Sequence, residues 1–332
     1  MSVETPKLEG KALITGASGF IGGRLRDALL DQGVDVLSIR RTGSPPSKKG
    51  RSVEASYDNL AELEDLVLAE KPDYVFHVAG VTKGVTYADF QAGNVMPTEN
   101  LLRALERKHT GVKRFVHFSS LACFGPSTRT RPHIETNTRK PIEFYGRSKA
   151  EAEEVVERVT TVPWTILRPG GVYGPGDADY FNLFREVHKK RNVFFGNRDR
   201  FISNVYVDDL VTATLLATVS PNTVGKGYFV SDGEVVTWGQ FQDAIVKAAG
   251  HKVRTIDFPE FFVTAAAYGG EFLTKLDKKP RLFNQQKAIM GAQEAWTCSI
   301  DALRADTGFE PTVFATEGCK RAFAWYRENG WL

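Results

Sequence analysis

Cysteine is scarce in this chain: three among 332 residues, Cys123, Cys298 and Cys319, odd in number and far apart. That excludes a disulfide framework and is expected of reduced thiols in a cytoplasmic protein. No cluster of Cys and His has metal-ligand spacing, so no metal site is expected. Charge of one sign is also lacking. The 43 Lys and Arg nearly balance 40 Asp and Glu, and a net charge of +3 is too small and too evenly spread to suggest nucleic acid or an acidic membrane. No stretch approaches the roughly 18 apolar residues of a membrane span. The opening MSVETPKLEG lacks the apolar core of a signal peptide, and no internal repeat is visible. The remaining composition, 42% hydrophobic and 25% charged, is that of an ordinary soluble globular protein, long enough for one large domain or two modest ones.

The chain is organised around KALITGASGFIGGR, Lys11–Arg24. Ala12, Leu13, Ile14 and Thr15 read as a buried strand, because four apolar or β-branched residues stand directly before a turn. Gly16, Gly19 and Gly22 follow at three-residue spacing. Gly16 can leave the strand at backbone angles closed to other residues. Gly19 has no β-carbon to keep a pyrophosphate off the main chain, and Gly22 lets the following helix lie close to the sheet. The amides and dipole of that helix start then face the anion. The spacing is GxxGxxG, not the GxGxxG of the dinucleotide fingerprint, and an ordinary glycine-rich turn is the plain alternative.

Strands and helices then alternate. A helical stripe over Phe20–Gln32 leads to a second strand, Val34–Ile39, followed by Arg40 and Arg41. An acidic residue at that strand end would hold the ribose hydroxyls of NAD, whereas arginine suits a 2′-phosphate; NADP is therefore favoured over NAD. Thr42–Arg51 reads as a loop, Asp58–Glu70 as a helix and Asp73–Val78 as a third strand, with Ala79 and Gly80 small enough to let a cofactor pass. A helix over Asn94–Lys108, a strand over Val112–Phe118, a helix over Tyr145–Thr160 and a strand over Pro163–Arg168 complete the pattern. This predicts an α/β fold, a Rossmann-type doubly wound parallel sheet over residues 1–172. Beyond Tyr173 the alternation loosens. Helices are expected over Phe181–Lys190, Thr237–Ala249 and Glu317–Asn329, a strand-to-helix transition within Val205–Thr218 and a strand over Tyr228–Val230. Residues 173–332 are read as a smaller C-terminal substrate-binding lobe, interleaved with the first domain.

Chemistry concentrates at Tyr145 and Lys149, a phenol and an ammonium four residues apart on one helix face. A positive charge nearby favours the phenolate and brings proton transfer closer to neutrality. Ser119 and Ser120, at a strand end, offer a hydroxyl to a substrate carbonyl or alcohol. Alone, YxxxK describes many exposed helices.

Together these motifs resemble the extended branch of the short-chain dehydrogenase/reductase superfamily, the NAD-dependent epimerase/dehydratase family. TGASGFIGG is similar to its TGxxGFIG loop, HVAG at 77–80 to its HxAA segment, FSSLACFG at 118–125 to SSxxxYG and RPGGVYGPGD at 168–177 to RPxxVYGPG. The resemblance spans roughly residues 10–250. It implies that Tyr145 is the general acid/base, that Lys149 holds the nicotinamide ribose and lowers the tyrosine pKa, and that Ser120 polarises the reacting C–O bond. It gives Asn94 a structural or catalytic place. It further implies cofactor contacts from Gly16, Ser18, Gly19, Phe20, Ile21 and Gly22, from Val78, Ala79 and Gly80, and from Pro169, Gly170 and Val172. Many relatives pair the helices matching Asn94–Lys108 and Tyr145–Thr160 in a homodimeric four-helix bundle, so a homodimer is expected.

Departures narrow the reading. Nucleotide-sugar epimerases and dehydratases commonly carry asparagine where this chain has Gly171, and an arginine for the sugar diphosphate where it has Ile202, Arg200 being out of step. The layout of residues 173–210 is closer to 3β-hydroxysteroid dehydrogenases and dihydroflavonol-reductase-like enzymes. Ala55-Ser56-Tyr57 stands where many members place an aspartate against adenine, and Asp58 reaches that place only with a shifted loop. His77 reads as a packed, hydrogen-bonded imidazole, and Asp208-Asp209 as the cap and dipole partners of a helix start. Phe261, Phe262, Tyr268 and Phe272 form an aromatic segment, a core element or a pocket wall, with Phe181 and Phe184 placed to line the same pocket. The expected function is hydride transfer between NADP or NAD and a ketone or secondary alcohol of a small, moderately hydrophobic substrate. A nucleotide-sugar epimerase or dehydratase with tightly held NAD is the alternative, and a non-catalytic binding or redox-sensing protein on the same scaffold is the third.

Overall fold

The computed structural model describes residues 5–41, 43, 47, 49–261 and 285–332. Seven short strands form one sheet: β1 (Lys11–Thr15), β2 (Asp35–Arg40), β3 (Arg51–Glu54), β4 (Tyr74–His77), β5 (Arg114–Phe118), β6 (Trp164–Pro169) and, from much later in the chain, Lys226–Val230. Every pairing among them is parallel. Strands covered by helices on both faces must be apolar throughout, which is why ALIT, VLSI and FVHF appear in the sequence as runs rather than as alternations. The edge strand β3 is the exception. RSVE is half-exposed and polar, so the loop expected over residues 42–51 hid the start of a strand.

The strand order is β3-β2-β1-β4-β5-β6, with Lys226–Val230 beyond β6. The connection reverses direction between β1 and β4, which opens a crevice at their carboxyl ends. On one face, α1 (Phe20–Asp31) and the helix Val207–Val219 bury Leu25, Leu29, Leu210 and Leu215 against Ala12, Ile14, Phe76 and Val116. On the other, α2 (Leu60–Glu70), α4 (Met96–Lys108) and α5 (Phe144–Glu157) bury Leu63, Leu101 and Val156 against Leu13, Val75 and Ile166. A short helix α3 (Tyr87–Phe90) and a π-helical turn, Gln91–Val95, lead into α4, so the helix expected from Asn94 begins within a wider, underwound turn.

The remaining elements sit beyond the carboxyl ends of β6. Helix α6 (Phe181–His188), the helix Trp238–Ala249 and the C-terminal helix Ala315–Glu328 share a core of Phe184, Phe241, Phe323 and Tyr326. This corrects the expectation for Phe181 and Phe184. Phe184 is fully buried against Phe323 and Tyr326, and Phe181 packs on Tyr326 and Trp331, so both belong to this core and not to a pocket wall. Of the aromatic segment, Phe262, Tyr268 and Phe272 lie outside the described residues. The helix Val207–Val219 has Tyr206 at its N-cap and no side-chain cap. Asp208 and Asp209 therefore do not cap it. Asp208 pairs with Arg24 of α1, and buried Asp209 accepts hydrogen bonds from Thr312 N, Thr312 Oγ1 and Val313 N. Among the described residues, no helix is long and apolar enough to cross a membrane.

Candidate active site

The glycine turn shapes one wall of the crevice. Gly16 has φ +73°, and a β-carbon there would lie 2.7 Å from the Ala79 nitrogen. A β-carbon on Gly22 would collide with the Gly16 carbonyl. Gly19 caps α1, where a β-carbon would lie 3.3 Å from the Gly16 carbonyl, next to exposed Ser18. Among the described residues no side chain caps this helix, and its first turn holds no acidic residue, so the main-chain amides of its first turn, around Phe20, Ile21 and Gly22, have no intrahelical or side-chain acceptor among them. An anion-binding helix start beside glycines that no side chain can replace fits a dinucleotide pyrophosphate.

Across the crevice, Val78 and Ala79 leave β4 half-buried. A β-carbon on Gly80 would stand 2.8 Å from Asn94 Oδ1 and 3.0 Å from Lys149 Nζ, so the chain here passes directly over the lysine. Hydrogen bonds link these walls: Ala79 N donates to Thr15 Oγ1 at 3.0 Å, Thr15 Oγ1 meets His77 Nδ1 at 2.8 Å and His77 Nε2 meets Thr98 Oγ1 at 3.0 Å. His77 is thus the packed imidazole expected, and burial pushes its pKa down to about 3. Asn94 is buried in the π-helical turn. Its Oδ1 accepts from Val81 N, and its Nδ2 donates to Val81 O and Ser148 Oγ, so it ties the loop after β4 to α5.

Arg40 ends β2 and exposed Arg41 follows it, and Arg40 is ion-paired with Glu54 of β3. A carboxylate thus stands beside the end of the second strand, from the neighbouring strand β3, a pairing that no local pattern in the sequence shows. Tyr57, buried, directs its hydroxyl toward the Ile39 carbonyl at 3.4 Å, in the segment where an adenine-facing aspartate was missing.

The reacting groups sit where β5 and α5 meet. Glu143 caps α5, accepting from Tyr145 N at 2.6 Å and from Gly146 N. A β-carbon on Gly146 would collide with the Ala122 carbonyl, so α5 lies tight against the turn Leu121–Phe124 that begins at Ser120. The Ser120 hydroxyl, which accepts from Ala122 N at 3.2 Å, is near enough to the Tyr145 phenol to lower its pKa. Lys149 Nζ, buried, donates to the Phe118 carbonyl at 2.8 Å. Ser120, Tyr145 and Lys149 thus stand around the junction of β5 and α5. The electrostatics differ from the expectation: burial pushes the phenol well above its ordinary value, with the Ser120 hydroxyl opposing it, while Lys149 is turned to the Phe118 carbonyl. Burial also pushes Lys149 down to about 8, opposed by Cys123 and Glu153.

At the end of β6, Pro169 is buried; beyond it Gly170 donates to the Val230 carbonyl at 3.0 Å and Val172 packs on the sheet core. At Gly171 a β-carbon would collide with the Tyr180 hydroxyl and Asn204 Oδ1, two groups hydrogen-bonded to each other at 3.1 Å. Ile202 is buried in the lobe core, and Arg200 pairs with Glu260 at 2.6 Å. Lys83 and Asp179, on the loops after β4 and after Tyr173, form a 3.0 Å ion pair. Sequence reading did not single out Glu54, Glu143, Lys83 or Asp179, since each works through a partner distant in sequence or through a main-chain amide.

Comparison with known proteins agrees with this geometry. The family model described as NAD dependent epimerase/dehydratase family matches residues 12–230. A 3-beta-hydroxysteroid dehydrogenase of Mycolicibacterium neoaurum is 29% identical over 331 residues, covering 93% of this chain and 88% of its own. A 4-hydroxy-2-methyl-3-oxo-4-farnesyl-3,4-dihydroquinoline-1-oxide ketoreductase of Stigmatella aurantiaca is 25% identical over 93% of this chain and 94% of its own. The UDP-glucose 4-epimerase of Thermotoga maritima, solved with UDP-glucose, superposes with a TM-score of 0.79 at 24% identity, covering 96% of this chain and 99% of that one.

Proposed function

This chain belongs to the NAD dependent epimerase/dehydratase family, the extended short-chain dehydrogenase/reductases, and from that premise we propose that it interconverts a ketone and a secondary alcohol on a small, moderately hydrophobic molecule. The observation that carries the choice within the family is Gly171. The room a substrate-facing asparagine would need there is taken by Tyr180 and Asn204. The diphosphate side agrees: Ile202 is buried, and Arg200 is engaged by Glu260. Both named relatives, a hydroxysteroid dehydrogenase and a farnesylated-quinoline ketoreductase, act on largely apolar molecules.

A nicotinamide bound in the crevice supplies or accepts the hydride. The Gly16–Gly22 turn would hold its pyrophosphate, the Val78–Gly80 and Pro169–Val172 segments would flank it, and Lys149 would meet its ribose. Arg40 and Arg41 favour NADP, with Glu54 competing for Arg40. For reduction, the Ser120 hydroxyl hydrogen-bonds the substrate oxygen and Tyr145 delivers its proton as the alkoxide develops. A phenol held high by burial is a competent acid for an alkoxide, which is more basic still. In the reverse direction the same oxygen accepts the proton, and Lys149 stabilises the charge that results. The exposed faces of α4 and α5 are proposed to pair with a second copy, which sedimentation velocity tests.

The deciding experiment is a scan of NADPH and NADH oxidation against carbonyl compounds, run beside UDP- and GDP-sugars. Carbonyl-dependent oxidation is expected. Tyr145→Phe should remove about 10²–10⁴-fold of the turnover, the usual share of a positioned acid, while nicotinamide binding persists. Sugar-nucleotide conversion without carbonyl reduction would establish the epimerase alternative instead.

A further inference from the structure

Under the tyrosine–lysine helix lies a buried ionic layer that the proposed reaction does not use. Glu153 stands one turn beyond Lys149 on α5 and is fully buried, as is nearly all of Arg168 on β6. The two make a forked contact: Arg168 Nε lies 3.0 and 3.1 Å from the two carboxylate oxygens, and Nη2 lies 2.8 Å from Oε2. Arg139 adds a second cation at 2.7 Å. The Arg168 guanidinium rests between Phe124, at 5.0 Å, and Phe229, at 5.8 Å. It occupies the space that any side chain at residue 227 would fill, so Gly227 is required for it.

Such a layer is costly to bury and is weak evidence for stability alone, since well-packed apolar groups would often serve as well. Its geometry points to another use. Packing of helices on apolar ridges tolerates a scatter of roughly 15–20°, whereas a planar fork on a carboxylate does not. Lys149 lies midway between two fixed points on α5: Gly146, pressed on the Ala122 carbonyl, and Glu153, clamped by Arg168. We propose that Glu153 and Arg168 are a positioning pair, setting the rotation of α5 so that the Lys149 ammonium stays at the Phe118 carbonyl and faces the crevice. This rests on the reading that Lys149 meets the nicotinamide ribose.

The pair also sets the charge around that ammonium. Facing Lys149 are Glu153 from α5, His77 from β4, His117 from β5, Cys123 from the turn after β5, and Asn94. Arg168 and Arg139 face Glu153 from β6 and from the segment before α5. Burial holds both histidines neutral and keeps the thiol protonated, which leaves Glu153 as the carboxylate of this group.

The test is the pH dependence of NADH affinity of the full chain, read by nicotinamide fluorescence from pH 6 to 10 with melting temperatures alongside. Glu153→Gln removes the anion and leaves Arg168, so the alkaline loss of affinity should move down by about one pH unit, about a fivefold weakening at the wild-type midpoint. Glu153→Gln with Arg168→Gln is neutral again. Its alkaline limb should return toward wild type, while affinity at pH 7 stays low because the fork is gone. Variants that melt lower yet keep the wild-type limb and affinity would reduce the pair to structural filler and overturn the proposal. If Glu153→Gln does not fold, Arg168→Lys keeps the charge without the fork, and wild-type affinity in that variant overturns the proposal equally. A wild type that binds NADH but reduces no carbonyl compound would sink the reaction reading and leave this measurement standing.

Discussion

Thr15 and His77 lie opposite one another in the register of β1 and β4, and their side chains share a 2.8 Å hydrogen bond where the strand order reverses. The directions of the surrounding bonds can be assigned. Thr98 Oγ1 donates to the Asn94 carbonyl at 2.7 Å, so it must accept from His77 Nε2–H. His77 Nδ1 is then an acceptor, served by the Thr15 hydroxyl, whose oxygen accepts Ala79 N–H. One neutral imidazole thus ties the loop over the cofactor crevice to the π-helical turn that carries Asn94.

Thr15→Val keeps the shape and breaks the chain at its centre. It leaves the half-buried Ala79 N–H and the buried His77 Nδ1 without these partners, a loss of about 1–3 kcal/mol for the buried group. Thermal unfolding should show lower stability, and a fluorescence titration should show weaker nicotinamide binding. A variant as stable as the parent, with unchanged affinity, would mean that the chain of hydrogen bonds does not hold the loop.

Arg40 and Glu54 make a second testable pair, at the edge of the sheet. Their backbones are in register and their side chains are ion-paired. Glu54→Gln removes the partner that competes with a 2′-phosphate for the guanidinium. The ratio of kcat/KM for NADPH over NADH should rise by about five- to tenfold, equivalent to about 1 kcal/mol of exposed charge pairing. Arg40→Ala should lower the same ratio. Ratios that stay fixed in both variants would dismiss any part for this pair in cofactor choice.

Much of this was legible in the sequence because the sheet's demands are local. Buried parallel strands need unbroken apolar runs, and the glycine turn needs glycine at fixed places, so β1, β4, β5 and β6 were read to within two residues at each end. The YxxxK spacing placed the phenol and amine on one helix face. What stayed hidden depends on pairing across the chain. RSVE becomes a strand only because β2 lies beside it. Phe181 and Phe184 are helix residues whose partners, Tyr326 and Trp331, lie some 140 residues later, so no local pattern separates lobe core from pocket wall. Glu153 four residues after Lys149 was visible, but its meaning needed Arg168.

Lys149 gives a pH prediction in which activity and stability move in opposite directions. Burial pushes the ammonium down to about 8, below the ordinary lysine value. Raising the pH through about 8 therefore removes the charge in the folded protein, and kcat/KM and nicotinamide affinity should fall there. The unfolded chain keeps its proton to about 10.4, so it binds more protons in that window, and this residue's contribution to stability rises with pH. Lys149→Met should bind weakly at every pH, without an alkaline limb. Melting temperatures that fall in step with wild-type activity above pH 8 would assign the loss to unfolding instead.

Gly171 offers the sharpest separation of substrate classes, because its missing side chain is accounted for by two neighbours. A β-carbon there meets the Tyr180 hydroxyl and Asn204 Oδ1, and Tyr180 is itself held by stacking on Trp238 at 6.0 Å and by Phe241 at 5.4 Å. The phenol therefore has little freedom to retreat. Gly171→Ala should destabilise the protein by about 1–3 kcal/mol, the usual cost of overpacking. Tyr180→Phe in the same chain removes one of the two colliding atoms and should recover part of that loss, a non-additivity that a double-mutant cycle reads directly. Carbonyl reduction should suffer in Gly171→Ala more than in Tyr180→Phe, since the inserted methyl presses on the segment flanking the cofactor while the lost hydroxyl does not. Additive effects of the two changes would place Tyr180 and residue 171 out of contact, and with that contact would go the main reason for excluding a nucleotide sugar.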